Sequence, residues 1–203
     1  MDRTILGTSV EAAAGVLAGG GVVAYPTETT YGLGARLDRP AALDRVFRLK
    51  RRPLDKPLLV LVASRADLER LVVEIPPAAE DLMHRFWPGP LTLLLPARAD
   101  LPRAVTADTG KVGVRISSHP VAAALAAAAG VPVTATSANR SGEPPALTAG
   151  EVVERFGVEG ETLAYVLDGG RTPGGLPSTI VDVGPGGPRL VRPGAVPEGE
   201  LGI

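Results

Sequence analysis

The chain has 203 residues, 45% of them hydrophobic and 21% charged, which is ordinary globular usage and enough apolar material for one domain. Its 21 Lys and Arg stand against 22 Asp and Glu, a formal charge of −1, so the totals argue against a protein devoted to coating nucleic acid. Cys is absent, which excludes disulfides, thiolate zinc sites and cysteine nucleophiles.

The start, Met1-Asp2-Arg3-Thr4, has no apolar segment of signal type, and no apolar tract is long enough to span a bilayer. A cytoplasmic protein without membrane contact is expected. Thr8 with Glu11 predicts a capping box and an Ala-rich first helix over 10–17, stopped by Gly19-Gly20-Gly21. Residues 22–25 read as a short strand halted by Pro26, with a polar loop over 27–30. Pro40 suits a first helical turn, and Leu43, Val46, Phe47 and Leu49 then give a face of helical period. The apolar run 58–62 has strand length and the pattern of a strand covered on both faces. Ser64 caps a short helix to Leu71, and Pro76-Pro77 opens another that ends near Phe86-Trp87.

After the turn Pro88-Gly89-Pro90, strands are predicted at 91–96 and 112–117, then a helix begun by Ser118 and Pro120 and closed by Gly130. Residues 133–136 are a further strand, and Thr148 with Glu151 forms a second capping box. Runs at 165–168, 179–183 and 189–191 complete about seven strands. Some strands follow one another and others alternate with helices. The expectation is a single α/β domain of α+β type over 1–203, with a twisted mixed sheet and flanking helices.

Three stretches can carry chemistry. Arg45, Arg48, Lys50, Arg51, Arg52 and Lys56 form the densest positive segment. Cations complement a helix C-terminus by about 0.3–1 kcal/mol each, yet Lys50, Arg51 and Arg52 run into Pro53, where the helix must end. A solvated helix end and a polyphosphate site, where Arg forks onto phosphate oxygens, fit the pattern about equally. In 112–117, alternation puts Val112, Val114 and Ile116 on one face and Gly113, Arg115 and Ser117 on the other. An unpaired buried guanidinium is too costly, so that second face is either open to a ligand or solvated at a sheet edge. Residues 134–139 run from a strand end into a polar turn, where α/β sheets commonly bind ligands; Ser, Thr and Asn are also ordinary turn residues. No glycine run has the spacing of a phosphate loop or dinucleotide fingerprint. His84 and His119 lack metal-ligand spacing and read as surface or capping residues.

Seven segments in register resemble the YrdC-like threonylcarbamoyl-AMP synthase family: Pro26 through Gly34, Lys50-x-Arg52-Pro53, Phe86 through Thr92, Val114-Arg115, Ser137-x-Asn139-x-Ser141-Gly142, Ser178 through Asp182, and Arg192-Pro193-Gly194. The resemblance implies a mixed sheet around a positive cavity. It also implies a nucleotidyltransferase that joins ATP, L-threonine and bicarbonate into threonylcarbamoyl-AMP for a tRNA modification. By motif, Lys50 and Arg52 are the catalytic pair holding the ATP phosphates, with Ser137, Asn139, Arg192 and Lys56 around the nucleotide. Thr29, Arg115 and Ser178 surround threonine, with Arg115 on its carboxylate. Mg²⁺ arrives with ATP, held by phosphates and water with no protein metal ligands, and partner proteins receive the product.

Two departures point to the short, single-domain type. Longer members carry Asn where this chain has Lys56 and His where it has Leu61, and the chain stops soon after Arg192, so no further C-terminal domain is expected. Two other readings keep the same fold: a module that binds double-stranded RNA or tRNA without catalysis, and a related subfamily that makes the adenylate poorly. The Ser137-x-Asn139 element argues against the latter.

Overall fold

The computed structural model describes residues 4–157 and 163–203; the chain start, Met1-Asp2-Arg3, lies outside them. In chain order come β1 (Ile5–Gly7), α1 (Val10–Ala18), β2 (Val23–Pro26), β3 (Tyr31–Gly34), α2 (Pro40–Lys50) and β4 (Val60–Leu61). A 3-10 helix (Arg65–Arg70) follows, then α3 (Pro77–Phe86), β5 (Leu91–Pro96), α4 (Arg103–Thr106), β6 (Lys111–Arg115) and α5 (Pro120–Ala129). The last elements are β7 (Val133–Thr134), β8 (Thr136–Ser137), α6 (Ala149–Phe156), β9 (Tyr165–Leu167), β10 (Thr179–Gly184), β11 (Gly187–Arg192) and α7 (Glu198–Leu201).

The mixed α/β class is as predicted, but the strands form two sheets. One has the order β1-β9-β2-β3-β8 and the other β11-β10-β5-β6-β4-β7, both with parallel and antiparallel pairs. The predicted strand 133–136 belongs to both. Val60 and Leu61 pair with Thr134 and Val133 in one sheet, whereas Gly32 and Leu33 pair with Ser137 and Thr136 in the other. β1 and β3 were not expected. β1 is short and half-exposed at Ile5 and Leu6, and the Gly-Leu-Gly of β3 offers no side-chain alternation to read.

Helix starts depend on which side chain reaches the free amides. In α1 the cap is Ser9 rather than Thr8, its Oγ accepting from Ala12 N at 3.1 Å and donating to Glu11. The α5 cap is His119, whose Nδ1 accepts from Val121 N, rather than Ser118. Thr148 caps α6 as predicted, accepting from Glu151 N, while the Glu151 carboxylate accepts from Leu147 N. The end of α2 is set by Arg51, which takes the left-handed conformation (φ 49°) and redirects the chain before Pro53.

The main core lies between the two sheets and α2, α3 and α6, with Ala24, Leu33, Leu43, Val46, Leu82, Leu93, Val114, Val152 and Val166 buried in it. A second, smaller core joins α1 and α5 to the outer face of the five-stranded sheet through Leu17, Tyr25, Leu125 and Leu167. No helix among the described residues is long and apolar enough to cross a membrane.

Candidate functional site

The seam between the sheets opens a cleft. Thr134 fastens its closed side: its Oγ1 donates to Leu33 O and accepts from Ala35 N, both at 2.9 Å, while Tyr25 Oη donates to Thr134 O. One residue further, Ala135 N donates to Leu59 O. Beyond that point the chain leaves β4 for β3, and the gap is lined from six directions by Thr29, Arg52, Arg115, Ser137, Ser178 and Arg192. Thr29 is held by the turn before β3, where Thr27 Oγ1 accepts from the amides of Thr29 and Thr30.

Three guanidinium groups face this gap. Arg192 Nε and Nη2 donate to Ser178 O at 3.2 and 2.6 Å, and Nη2 also reaches Ser178 Oγ, which is hydrogen-bonded to Thr92 Oγ1 at 2.9 Å. That approach requires glycine at 194, since a Cβ there would stand 2.3 Å from Pro177 O and 2.5 Å from Thr179 N. Arg52 donates to the carbonyls of Lys56 and Pro57. Arg115, 6% exposed, donates through Nη1 to Glu28, whose other oxygen accepts from Ser117 Oγ. The face expected to be open along β6 is open only at Arg115. At Gly113 it is covered, for a Cβ there would meet the Leu59 side chain at 2.5 Å.

Burial, and then the nearby Arg115 and Arg52, hold Arg192 below the usual guanidinium range; burial does the same to Arg52. A guanidinium depressed by neighbouring cations, as Arg192 is, is under repulsion that a bound anion relieves. Lys50 is 2% exposed and sits under this group rather than in its lining. Its ammonium donates to Ser137 O and Asn139 O, and its own carbonyl accepts from Ser141 N. Burial, then the charge of Arg52, lowers it to about 7. Lys50 therefore fastens the 137–141 loop from below.

Asn139 is buried beside it, its Nδ2 donating to Arg140 O and Glu143 O while its Oδ1 has no partner. A buried acceptor of that kind is unusual and is available to a donor. Lys56 is exposed and not part of the lining, touching the site only through its carbonyl. Sequence reasoning placed Ser117 on the Arg115 face but gave Glu28 no role, because nothing local ties the Glu28 loop to a strand 87 positions away. Among the described residues no group of three or more His, Cys, Asp or Glu is placed to hold a metal ion.

Fold and cleft together define an α/β domain with an arginine-lined cleft at the junction of two mixed sheets. Residues 15–194 match the Sua5/YciO/YrdC family model, described as telomere recombination. The chain belongs to this family. It is 43% identical over 192 residues to the threonylcarbamoyl-AMP synthase of Pyrococcus abyssi, covering 95% of this chain and 56% of the relative, so it spans little more than half of that protein. Against the threonylcarbamoyl-AMP synthase of Nitrosococcus oceani it is 39% identical over 160 residues, 79% of this chain and 85% of the relative. The crystal structure of P. abyssi Sua5 complexed with L-threonine superposes with a TM-score of 0.89 at 40% identity, covering 98% of this chain and 59% of that one.

Proposed function

We propose that the protein is an L-threonylcarbamoyladenylate synthase, joining ATP, L-threonine and bicarbonate with release of pyrophosphate for a tRNA modification in the cytoplasm. The observation that carries this reading is the convergence of Arg52, Arg115 and Arg192 with the hydroxyls of Ser137 and Ser178 in one cleft. The names of the relatives and the threonine complex of P. abyssi Sua5 support it.

In this reading Arg52 and Arg192 take the triphosphate, with Ser137 and Asn139 about the nucleotide and Lys56 contributing through the carbonyl that holds Arg52. Lys50 acts through the loop it fastens and regains its proton when phosphate charge arrives. Arg115 takes the threonine carboxylate beside Thr29 and Ser178. The threonine nitrogen, once deprotonated, captures bicarbonate carbon with loss of water to give a carbamate. A carbamate oxygen then attacks the α-phosphorus, and the bond to pyrophosphate breaks. The protein positions the reactants and neutralises the charge gathering on the departing pyrophosphate, which is what phosphoryl-type transfers require. Mg²⁺ enters with ATP as its counter-ion, since no carboxylate cluster among the described residues is placed to fix it. The unstable product passes to partner proteins that act on tRNA.

Pyrophosphate release is the test. It is expected only when ATP, L-threonine and bicarbonate are all present, and release that ignores the omission of threonine would refute the assignment. A second reading, RNA binding, draws on Arg51 and Lys56, both exposed near the cleft. It predicts tRNA affinity that falls steeply with salt.

A further inference from the structure

The three arginines of the cleft differ in how their charge is balanced. Arg52 and Arg192 donate to neutral oxygens, the carbonyls of Lys56 and Pro57 and both oxygens of Ser178. Neither forms an ion pair with a carboxylate among the described residues, although Arg52 feels the charge of Asp55. Arg115 is matched by an acid, Glu28, which Ser117 holds by its second oxygen. Arg52 and Arg192 therefore have no carboxylate bonded to them, whereas Arg115, in the cleft wall, has one directly beside it, Glu28 itself standing outside the lining.

We infer that Glu28 makes the Arg115 end selective for a zwitterion, the Arg115 guanidinium taking the carboxylate of an α-amino acid while the Glu28 carboxylate takes its ammonium. This rests on the proposed placing of the amino acid at Arg115. An α-amino acid carries both groups on one carbon, so a carboxylate held by Arg115 brings its ammonium next to the residue that Arg115 is paired with. Arg115 has five N–H donors, of which Nη1 is engaged, and an ionised carboxylate offers about four acceptor positions, of which Glu28 uses two. Both partners keep capacity, and at 7% and 12% side-chain exposure neither is sealed off. The adjacent Thr27 and Thr29 line the same cleft.

Glu28 also works by exclusion. A simple carboxylate or a phosphate would bring a second negative charge against it with nothing in return, and specificity of this kind depends on such a repulsive element. The arrangement keeps phosphate at the Arg52 and Arg192 end and leaves the Arg115 end for the amino acid.

The test compares L-threonine with 3-hydroxybutyrate, which keeps the carboxylate and hydroxyl but lacks the ammonium. Calorimetry on the full chain gives both affinities for wild type, Glu28→Gln and Ser117→Ala, and pyrophosphate release gives the KM for threonine and for ATP. Wild type is expected to favour threonine strongly. Glu28→Gln should shrink the preference about tenfold, the scale of one charge-assisted contact. It should raise the threonine KM by a similar factor and leave the ATP KM unchanged. Ser117→Ala keeps the charge but loosens it, and should fall between the two. It decides the matter if Glu28→Gln does not fold, an unchanged preference in Ser117→Ala then counting against the inference.

A variant in which both ligands weaken equally would show that Glu28 only steadies Arg115, and would overturn the zwitterion assignment. So would the lack of any preference for threonine over 3-hydroxybutyrate in a wild type that turns threonine over normally, and in both cases the synthase reading survives. A wild type that binds no threonine removes both.

Discussion

Lys50 couples the stability of the ligand-free protein to pH. Its ammonium is buried beneath the cleft, bonded to two carbonyls, and lowered from 10.5 to about 7 by burial and by Arg52. The folded chain therefore sheds this proton near neutrality, whereas the unfolded chain keeps it to the ordinary lysine value. Between those two points the unfolded state binds more protons, so stability rises with pH, by up to about 1.4 kcal/mol per pH unit. From about pH 7, where the folded group is half titrated, to about pH 9, the gain from this residue comes to about 2 kcal/mol.

Lys50→Met keeps the stem and removes the ammonium. It also leaves two carbonyls without a donor, so the variant is less stable at every pH, and the useful readout is the pH dependence. Urea denaturation of both proteins across that range should show wild type gaining about 2 kcal/mol that the variant does not. Parallel profiles would refute the account. A second arm follows from the same linkage: bound pyrophosphate should restore the ammonium. Binding at about pH 8 should then take up a proton in wild type but not in Lys50→Met, read by calorimetry in two buffers of different ionisation enthalpy.

Gly194→Ala would push a methyl group against the backbone of Pro177, Ser178 and Thr179. It should cost about 1–3 kcal/mol by overpacking and weaken ATP binding by drawing Arg192 off Ser178, as denaturation and calorimetry would register. Thr148→Ala removes the oxygen that caps α6 and should lower stability by about 1 kcal/mol. Pyrophosphate release should be unchanged, because α6 does not line the cleft.

The elements read correctly from sequence were those whose signals are local. α2 was marked by Pro40 and an apolar stripe, α6 by Thr148 and Glu151, and β5 by a turn before it and six residues of strand character. Elements defined by their partners were not legible. Residues 133–136 look like one strand, and only the pairing of Thr134 with Val60 and of Ser137 with Gly32 divides it between two sheets. The same limit applies at the site. Arg52, Arg115, Ser137, Ser178 and Arg192 stood out through the segments around them, but Glu28 gains its meaning from Arg115, far along the chain. For Lys50 the sequence offered a solvated helix end or a phosphate ligand. The structure puts its ammonium on the carbonyls of Ser137 and Asn139, partners 87 and 89 positions away that no local pattern announces.

A short piece of chain stitched into both sheets also limits how the molecule can deform. The two walls of the cleft are tied at Thr134 and Ala135, so they cannot slide past each other without breaking that stitch. The gap is then close to its working width before any guest arrives, and little ordering entropy is lost on filling it. A domain fixed in this way acts as a rigid anvil: it shapes what is laid on it, and any cover over the reactants has to come from parts that move independently of the seam.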